Sequence, residues 1–195
     1  MIRGYLSNES KSMKLLFVTG NQKKVAEAAA ILGDGIRIEQ FDVDLPEIQT
    51  TVVKEVVRHK IEAAYEKAGR GAHVICEDTG LCFADINQFP GALIKFYHKA
   101  LGNQGIVVHH GGSRCTATTV IGYRNPEGTI LFEGSTNGTV ASGVTKEGFG
   151  WDPIFIPDGG GGRSYAEMTL EEKNAISHRG KAFEKMKTYL STATS

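Results

Sequence analysis

Apolar and polar residues follow two different periods along the first half of the chain. An apolar run at 15–18 predicts a strand over 14–19, residues 22–32 have a helical period, and 36–41 alternate with period two. Over 52–68 apolar residues recur every three or four positions, which predicts an amphipathic helix with its charged side chains outward. The segment HVICE at 73–77 has an apolar centre and is predicted to be a strand. This order of strand, helix, strand, helix and strand predicts an α/β fold whose sheet has a parallel part.

A different pattern marks the second half. The segments 116–124 and 129–134 have strand composition and flank the turn sequence NPEG at 125–128, which together predict a long hairpin. The glycine run 159–162 follows no strand and lacks dinucleotide-binding spacing, so we predict a mobile loop there. A capping-box sequence at 169–172 precedes residues with a helical pattern. A mixed central sheet with flanking helices is therefore expected.

Length and charge limit the classes of protein to which the chain can belong. At 195 residues it suits a single domain, which we place at 14–195, after a polar N-terminal extension at 1–13. Its 22 basic and 22 acidic residues balance to a net charge of zero, so no overall basic field exists to collect nucleic acid or an anionic membrane. No apolar run has the length of a membrane span. We predict no nucleic-acid and no membrane partner, while a small anionic ligand stays compatible with a local basic cluster.

The cysteines indicate a reducing environment. Cys76, Cys82 and Cys115 are odd in number and have neither CxxC nor zinc-site spacing. Free thiols of this kind are typical of intracellular proteins, and the first residues lack the apolar segment of a secretion signal. We therefore predict a cytoplasmic protein.

The first predicted strand meets the first predicted helix at a polar turn that contains Thr19, Asn21, Lys23 and Lys24. A helix N-terminus exposes unpaired backbone N–H groups and the positive end of the helix dipole, which together favour an anion. Two lysines in a first turn oppose that dipole, and a nearby anion would compensate for them. Asn21 tolerates the left-handed conformation that a tight turn can require. Because the spacing of a Walker loop is missing, a phosphate site of another kind and a solvated turn without a ligand both stay open.

Carboxylates follow two of the predicted strands. They are Asp42, Asp44 and Glu47 in one segment and Glu77 and Asp78 in the other. Polyphosphate chemistry needs Mg²⁺, which is bound by one or two carboxylates together with phosphate oxygens and water. Adjacent side chains at the end of a strand point to opposite sides, so one of Glu77 and Asp78 can face a cleft. Lys60 is the cation placed to reach this region from the second helix, although solvated surface is the alternative for all of these residues.

Aromatic residues and hydrogen-bond donors form a third group near the C-terminal end. Its members are Phe149, Trp151, Asp152, Lys173, Ser177, His178 and Arg179. The two rings flank a glycine, so at least one of them can stay free to stack on a nucleobase. A buried aromatic corner is the alternative for both rings. Ser177 can also be the cap of the last helix, and a lone histidine is more often a satisfied core or surface residue.

Six segments, taken together, resemble the inosine triphosphate pyrophosphatase family, whose members hydrolyse non-standard purine nucleoside triphosphates. They occur in the family's order from near Lys14 to the last predicted helix, and the set is far more specific than any one segment. The matching segments are FVTGNQKK at 17–24, DLPEIQ at 44–49, CEDTGLCF at 76–83, FPGALIKFY at 89–97, FGWDPIF at 149–155 and YAEMTLEEKNAISHRGKAF at 165–183.

The resemblance implies two lobes around a deep active-site cleft, a homodimer, a small nucleoside triphosphate as the partner, and Mg²⁺ as the cofactor with Mn²⁺ as the alternative. The catalytic residues that it implies are Asp78, Lys24 and Lys60. The implied metal ligands are Glu47, Glu77 and Asp78. The implied substrate-binding residues are Thr19, Asn21, Lys24, Lys60, Lys95, Phe149, Trp151, Asp152, Lys173, Ser177, His178 and Arg179.

The implied activity is hydrolysis of ITP, dITP and XTP to the nucleoside monophosphate and diphosphate, which cleanses the nucleotide pool. These bases carry a 6-oxo acceptor where adenine carries an amino donor, so donors from Lys173, His178 or Arg179 would discriminate against adenine. Guanine shares the 6-oxo group, and its rejection through the 2-amino group, by a clash or by a facing donor, stays open. A hydrolase of standard or modified nucleoside triphosphates and a non-catalytic nucleotide sensor are the alternatives, whereas the missing Walker spacing excludes a P-loop ATPase.

Overall fold

The fold is a mixed α/β architecture, seen in a computed structural model that describes residues 13–193. The predicted extension lies outside these residues except for Met13, which begins the first strand. The strands are β1 Met13–Val18, β2 Ile36–Gln40, β3 Val74–Phe83, β4 Pro90–Gly91, β5 Arg114–Asn125, β6 Gly128–Val140 and β7 Phe155–Pro157. The α-helices are α1 Gln22–Leu32, α2 Val53–Ala68, α3 Ile94–His110, α4 Leu170–Ile176 and α5 His178–Ala193. Short 3-10 helices lie at Ala84–Ile86, Asp152–Ile154 and Tyr165–Glu167.

The sheet has the mixed topology that the sequence predicts. Its strand order is β2-β1-β3-β5-β6-β7, with β4 paired to β3 beside this path. Strands β2, β1 and β3 are parallel, whereas β3, β5, β6 and β7 pair in antiparallel fashion. The long hairpin is confirmed, since Asn125 pairs with Gly128 across a two-residue turn and the two strands run on to Arg114 and Val140.

The middle of β3 forms one wall of a cleft. Strand β1 pairs with β3 only as far as Cys76, and β4 pairs with β3 from Leu81 onward. Along 77–80, no strand within residues 13–193 pairs with β3 on that side, while β5 continues without interruption on the other. The side chains of this stretch therefore meet a gap in the sheet, which is where open α/β sheets place ligands.

The apolar core is divided in a way that supports two lobes. One cluster packs α1 and α5 against the parallel strands and the far ends of β5 and β6, around Phe17 and Phe183. A second cluster packs α3 against the opposite ends of β3 and β5, around Phe83 and Ile106. A third cluster lies beneath α2. Polar residues of β3 lie between the first two clusters, so the long strands are shared while the cores are separate.

The predicted end of β3 at residue 77 is wrong, because the strand continues to Phe83. The sequence Thr79-Gly80 suggests a turn, but Gly80 is required here for close packing. A Cβ atom at Gly80 would lie 2.6 Å from Cγ2 of Val53 and 2.9 Å from the carbonyl carbon of Gly91. Glu77 and Asp78 therefore lie inside a rigid strand rather than at its end.

Helix α3 has no counterpart among the predicted elements. Its helical pattern is interrupted at Gly102, which has non-helical dihedral angles of φ 63° and ψ 177°. The glycine run 159–162 lies in turns between β7 and the 3-10 helix at Tyr165–Glu167, as a loop, and its mobility stays a prediction. No helix within residues 13–193 is both long enough and apolar enough to span a membrane.

Candidate active site

A cavity of about 510 Å³ opens along the gap beside β3. It collects side chains from the turn before α1, the loop before α2, α2 itself, β3, α3 and the last two helices. Its lining residues are Thr19, Gly20, Asn21, Lys24, Glu47, Lys60, Glu77, Asp78, Thr79, Ile94, Lys95, His98, Phe149, Gly150, Trp151, Asp152, Lys173, His178 and Arg179. The structure therefore brings together every residue of the predicted site except Ser177.

The turn before α1 is shaped by its own side chains. Asn21 is the N-cap of the helix, and its side-chain oxygen accepts a hydrogen bond from the backbone N–H of Lys23 at 3.0 Å. Thr19 Oγ1 accepts from the backbone N–H of Asn21 at 3.0 Å. Asn21 has extended dihedral angles, φ −106° and ψ 104°, so the left-handed conformation that asparagine tolerates is not adopted here. Capping, rather than backbone strain, accounts for asparagine here.

The anion that compensates for Lys24 is a protein carboxylate. Lys24 Nζ lies 2.7 Å from Glu77 Oε1, and the same carboxylate accepts from Arg179 Nε at 2.9 Å and Nη2 at 3.2 Å. Arg179 Nη1 donates in turn to Glu27 at 2.9 Å. The network joins α1, β3 and α5, the last of these 102 residues away from Glu77 in the chain. It crosses the floor of the cavity and fixes α1 and α5 to the middle of β3.

Charge pairing in this network overcomes burial. Burial alone would raise the pKa of Glu77, but the charges and hydrogen bonds of Arg179 and Lys24 lower that pKa far below its usual value of 4.5. In the same way, Glu77 and Glu27 raise the pKa of the buried Arg179 guanidinium although burial opposes its charge. Glu77 and Arg179 are therefore both charged near neutral pH. Glu77 thus has two cations as partners already, and these contacts favour a structural role for it over metal binding.

A second ion pair lies at the edge of the cavity. Lys60 Nζ lies 2.7 Å from Glu47 Oε1. Burial disfavours the charged form of Lys60, but the hydrogen bond to Glu47 raises the Lys60 pKa above 10.5. The pKa of Glu47 is lowered, first by that hydrogen bond and also by the charges of Lys60, Lys95 and Lys24. This end of the cavity therefore holds three lysines whose charge is only partly matched by protein carboxylates.

Asp78 differs from its neighbour Glu77 because its carboxylate has no hydrogen-bond or ion-pair partner within residues 13–193. No group within residues 13–193 donates a hydrogen bond to its carboxylate, whereas Glu77 accepts three. Burial raises the pKa of Asp78 to about 6, the charges of Lys60 and Lys24 oppose that rise, and the carboxylates of Glu47 and Glu77 add to it. A carboxylate that is costly to ionise and lies beside lysines is a candidate for cation binding or proton transfer.

The raised pKa of Asp78 predicts a pH-dependent stability in the metal-free protein. Since this pKa rises from 3.8 to about 6 on folding, the stabilising contribution of Asp78 is fully present below pH 4 and is lost as the pH rises through 6. We expect Asp78→Asn to increase the free energy of unfolding by about 3 kcal/mol at pH 8, and the gain to shrink toward zero at pH 4. Urea unfolding in a chelating buffer measures both values. A gain that is the same at both pH values would contradict the assignment.

The carboxylates of the cleft fit Mg²⁺ that is bound partly through substrate. Residues 13–193 contain no group of three His, Cys, Asp or Glu side chains arranged to hold a metal ion. Proteins commonly hold Mg²⁺ with one or two carboxylates, and substrate phosphates and water complete the octahedron. Glu47 and the unpartnered Asp78 can supply those two carboxylates. A closed cage of Glu47, Glu77 and Asp78 has no support, because Glu77 is committed to Lys24 and Arg179.

The opposite end of the cavity is aromatic, and its two rings have different environments. Trp151 packs on Phe155 at 5.5 Å and stacks with His178 at 5.4 Å, measured between ring centroids. Phe149 is 49% exposed, and its ring lies 5.9 Å from Lys23 Nζ. Trp151 is thus anchored, while Phe149 keeps a face that is free for stacking.

His178 is buried and neutral. Burial, and then the charges of Arg179 and Lys173, lower its pKa well below 6.5. Its Nδ1 atom is buried without a hydrogen-bond partner among the described residues. Such an atom usually has a partner in the working molecule. Because His178 lines the cavity, a bound ligand or water is in a position to supply that partner.

The two remaining donors of the predicted base site have clear local roles. Lys173 Nζ lies 2.6 Å from Asp152 Oδ2, and both side chains are largely buried. Ser177 does not line the cavity. Its Oγ atom accepts a hydrogen bond from the backbone N–H of Gly180 at 3.0 Å in the first turn of α5. The capping role that the sequence left open for Ser177 is therefore observed, and its contact with substrate stays a prediction.

Six residues of the site region have no counterpart in the sequence-based prediction. They are Gly20, Glu27, Thr79, Ile94, His98 and Gly150. Glu27 follows Lys24 by three positions on α1, a spacing that places both on one helix face and could have suggested a shared partner. His98 belongs to a helix that the pattern does not reveal, so no signal identifies it.

A larger groove, of about 700 Å³, lies elsewhere, between α1, α4 and α5. None of its lining residues is aromatic, and its charged side chains are lysines and glutamates of helix surfaces. They include Glu171, Lys181, Glu184, Lys185 and Lys187. The concentration of buried charge and aromatic rings distinguishes the cleft beside β3 as the candidate active site.

Comparison with known proteins points to one family. An inosine triphosphate pyrophosphatase of Emericella nidulans is 40% identical over 182 residues, covering 89% of this chain and 94% of that protein. A dITP/XTP pyrophosphatase of Methanopyrus kandleri is 40% identical over 179 residues, with coverage of 89% and 94%. The solved structure of the Staphylococcus aureus Ham1 protein superposes with a TM-score of 0.71 at 25% identity, covering 92% of this chain and 99% of that one.

The match extends over nearly the whole described chain, including every residue that lines the cleft. The model of the Ham1 family matches residues 15–189. On this evidence the chain belongs to the Ham1 family.

Proposed function

We propose that this protein hydrolyses non-standard purine nucleoside triphosphates, namely ITP, dITP and XTP, to the nucleoside monophosphate and diphosphate. One observation carries the proposal: a single cavity joins a lysine-rich end, with an unpartnered carboxylate, to an aromatic end with buried donors. A nucleoside triphosphate has the matching polarity, with a charged tail and a flat base. The names of the E. nidulans and M. kandleri relatives agree with this substrate class.

The triphosphate tail would lie at the lysine-rich end. Lys24, Lys60 and Lys95 supply charge there, and Thr19 and Asn21 shape the turn from which α1 begins. Positioned cations lower the barrier of phosphoryl transfer because negative charge moves onto the leaving group. When bound by Glu47, Asp78 and phosphate oxygens, Mg²⁺ would supply further neutralisation of the triphosphate.

Asp78 is the group that would orient and deprotonate the attacking water. The water oxygen forms a bond to the α-phosphorus while the bond from that phosphorus to the bridging oxygen breaks, and diphosphate leaves with the electron pair. The proton of the water passes to the Asp78 carboxylate. In the metal-free protein, burial raises the pKa of Asp78 to about 6, so the group is largely ionised at neutral pH yet is a stronger base than an exposed aspartate, as this role requires.

The base would lie at the aromatic end, with one face on Phe149. Lys173, His178 and Arg179 surround that end, and the start of α5 supplies backbone N–H groups beside them. A 6-oxo group can accept from these donors, whereas the 6-amino group of adenine would leave them unpaired. A site built for an acceptor rejects a donor strongly because its buried polar groups then lose their partners.

We also propose a homodimer that works in the cytoplasm. Cys76, Cys82 and Cys115 are free thiols, which agrees with a reducing compartment. Phe89 and Phe96 are large apolar side chains that are 42% and 54% exposed, and exposed apolar surface of this kind is typical of contacts between subunits.

The proposed function is tested by a comparison of five nucleotides. With Mg²⁺ present, we expect rapid release of diphosphate from ITP and XTP and at least about a hundredfold lower kcat/KM with ATP, because one mismatched hydrogen-bonding group costs that much or more. GTP and dTTP complete the set, and chromatography identifies the products. Equal rates on all five would refute the base filter. Orthophosphate as the first product would refute the position of cleavage.

A further inference from the structure

A chain of two hydrogen bonds connects the wall of the cavity to the aromatic loop, residues 146–151, which carries Phe149 and Trp151. His98, on α3, lines the cavity, and its Nε2 atom lies 3.0 Å from Oδ1 of Asn103. Nδ2 of Asn103 donates to the backbone oxygen of Gly150 at 2.9 Å. Gly150 lies between Phe149 and Trp151, so the chain ends on the backbone that carries both rings of the proposed base site.

The kink in α3 is what allows these contacts. Residues five positions apart do not face each other on a regular helix, where neighbours lie three or four positions apart. Gly102 breaks the helical geometry directly before Asn103 with a positive φ of 63°. The break lets the Asn103 amide meet the His98 ring on one side and the loop on the other.

The hydrogen-bond pattern fixes the roles of the atoms. The carbonyl of Gly150 can only accept, so the Asn103 amide nitrogen is oriented toward it and the Asn103 oxygen accepts from His98. His98 Nε2 therefore carries a proton in both the neutral and the charged form of the ring. The connection does not depend on the protonation state of His98.

Few hydrogen bonds from other parts of the described chain hold this loop. For residues 146–150, the bond from Asn103 is the one hydrogen bond that another part of the described chain donates. Gly150 adopts a left-handed φ of 55°, and the Phe149 ring, which is 49% exposed, lies 5.9 Å from Lys23 Nζ. Trp151 is fixed by Phe155 and His178 on one side of Gly150, and Gly148 packs closely on Ala166 and Pro153 on the other, which leaves the Asn103 bond to hold the backbone between them.

We propose that Asn103 and His98 are positioning residues for the base site. Asn103 holds the Gly150 carbonyl, which sets the direction of the Phe149 ring, and His98 orients the Asn103 amide from the cavity wall. The consequence for substrate rests on the proposed function, since it requires a purine that stacks on Phe149. Preorganised aromatic rings reduce the ordering cost of binding, so loss of these contacts weakens binding more than it slows chemistry.

The test uses Asn103→Ala and the single tryptophan of the chain as a reporter. We expect the KM for ITP to rise about fivefold with kcat within about twofold, as for one lost hydrogen bond in a binding step. Acrylamide quenching of Trp151 fluorescence is expected to increase in the ligand-free protein, because the loop beside it loosens. Gln104→Ala, at the exposed next position, is the matched control and is expected to change neither value. Far-UV circular dichroism confirms that each variant is folded.

Substitutions of His98 separate positioning from general disturbance. His98→Phe removes the donor and is expected to shift KM and quenching in the same direction as Asn103→Ala. His98→Gln keeps an N–H donor and is expected to restore both values partly. The double variant with Asn103→Ala and His98→Phe is expected to be no worse than Asn103→Ala, since both changes break one chain of contacts.

Two results would overturn the inference: quenching in Asn103→Ala equal to that in Gln104→Ala, or fully additive effects in the double variant. If the wild-type protein hydrolyses none of the five nucleotides, the proposed function fails. The quenching comparison then still decides whether Asn103 positions the loop, because it needs no substrate.

Discussion

Asp78→Asn is expected to lower kcat for ITP hydrolysis about a thousandfold, the usual scale for loss of a positioned general base. Asparagine has nearly the same shape but cannot accept a proton at neutral pH. Because the lysine-rich end and the aromatic end are untouched, nucleotide affinity is expected to stay within about threefold, apart from any share that depends on the metal. Steady-state kinetics give kcat, and calorimetric titration with ITP in a chelating buffer gives the affinity.

The control for this substitution is Asp44→Asn. Asp44 is an exposed acidic residue of the loop before α2 whose backbone oxygen, not its carboxylate, accepts from Lys67. Its replacement is expected to leave kcat and KM unchanged. An Asp78→Asn protein with more than about a tenth of wild-type kcat would remove Asp78 from the proton transfer.

Glu77→Gln is expected to have the largest effect on stability, a loss of about 3 kcal/mol in the free energy of unfolding at pH 7. The glutamine cannot neutralise Lys24 and Arg179, and it leaves two cations facing each other across the floor of the cleft. Glu27 still pairs with Arg179, which limits the loss. Guanidinium chloride would screen these charges, so urea unfolding is the appropriate measurement.

The pH dependence of that loss identifies its cause. The pKa of Glu77 is lowered on folding, so its contribution is present above its usual pKa of 4.5 and declines as the pH falls below that value. The difference between wild type and Glu77→Gln is therefore expected to narrow between pH 5 and pH 3. Glu133→Gln is the matched control, since the pair of Glu133 with Lys54 is about half exposed and such pairs contribute at most about 1 kcal/mol. A loss at Glu77 no larger than that of the control would show that the buried network does not stabilise the fold.

Local sequence patterns predicted several of the helices and strands, because such elements depend on residues that are neighbours in sequence. The helical period of 22–32 matches α1, the turn at Asn125 produces the hairpin, and the alternation at 36–41 gives β2. The candidate site was also accessible from sequence, because its polar residues interrupt apolar elements where a core residue would be expected. The chemistry of phosphate, metal and base binding indicated which residue types to expect. The resemblance of the six segments to one family indicated that these residues belong to one site.

The parts that sequence could not predict depend on contacts between distant elements. Gly80 resembles a turn residue until Val53 and Gly91 are seen packed against it. Glu77 resembles a metal ligand, like Asp78 beside it, until Arg179 is brought to it from 102 residues away. These two adjacent carboxylates have opposite pKa shifts, and nothing in their local sequence distinguishes them.

Helix α3 illustrates a second limit. The helical period of α3 is interrupted at Gly102, so the sequence pattern does not predict this helix. The kink at the same residue is what permits the contacts of Asn103. Asn103 and His98 then make contacts that a regular helix would not allow. Periodic sequence patterns cannot predict a helix whose backbone departs from regular helical geometry.

The most direct test of the account is the fate of the water oxygen. ITP is hydrolysed by the wild-type protein in water enriched in ¹⁸O, and mass spectrometry locates the label in the separated products. The account predicts one ¹⁸O atom in the phosphate of IMP and none in the diphosphate, since the water attacks the α-phosphorus. Label in the diphosphate would place the attack at the β-phosphorus and contradict the arrangement of substrate, Asp78 and lysines proposed for the cleft.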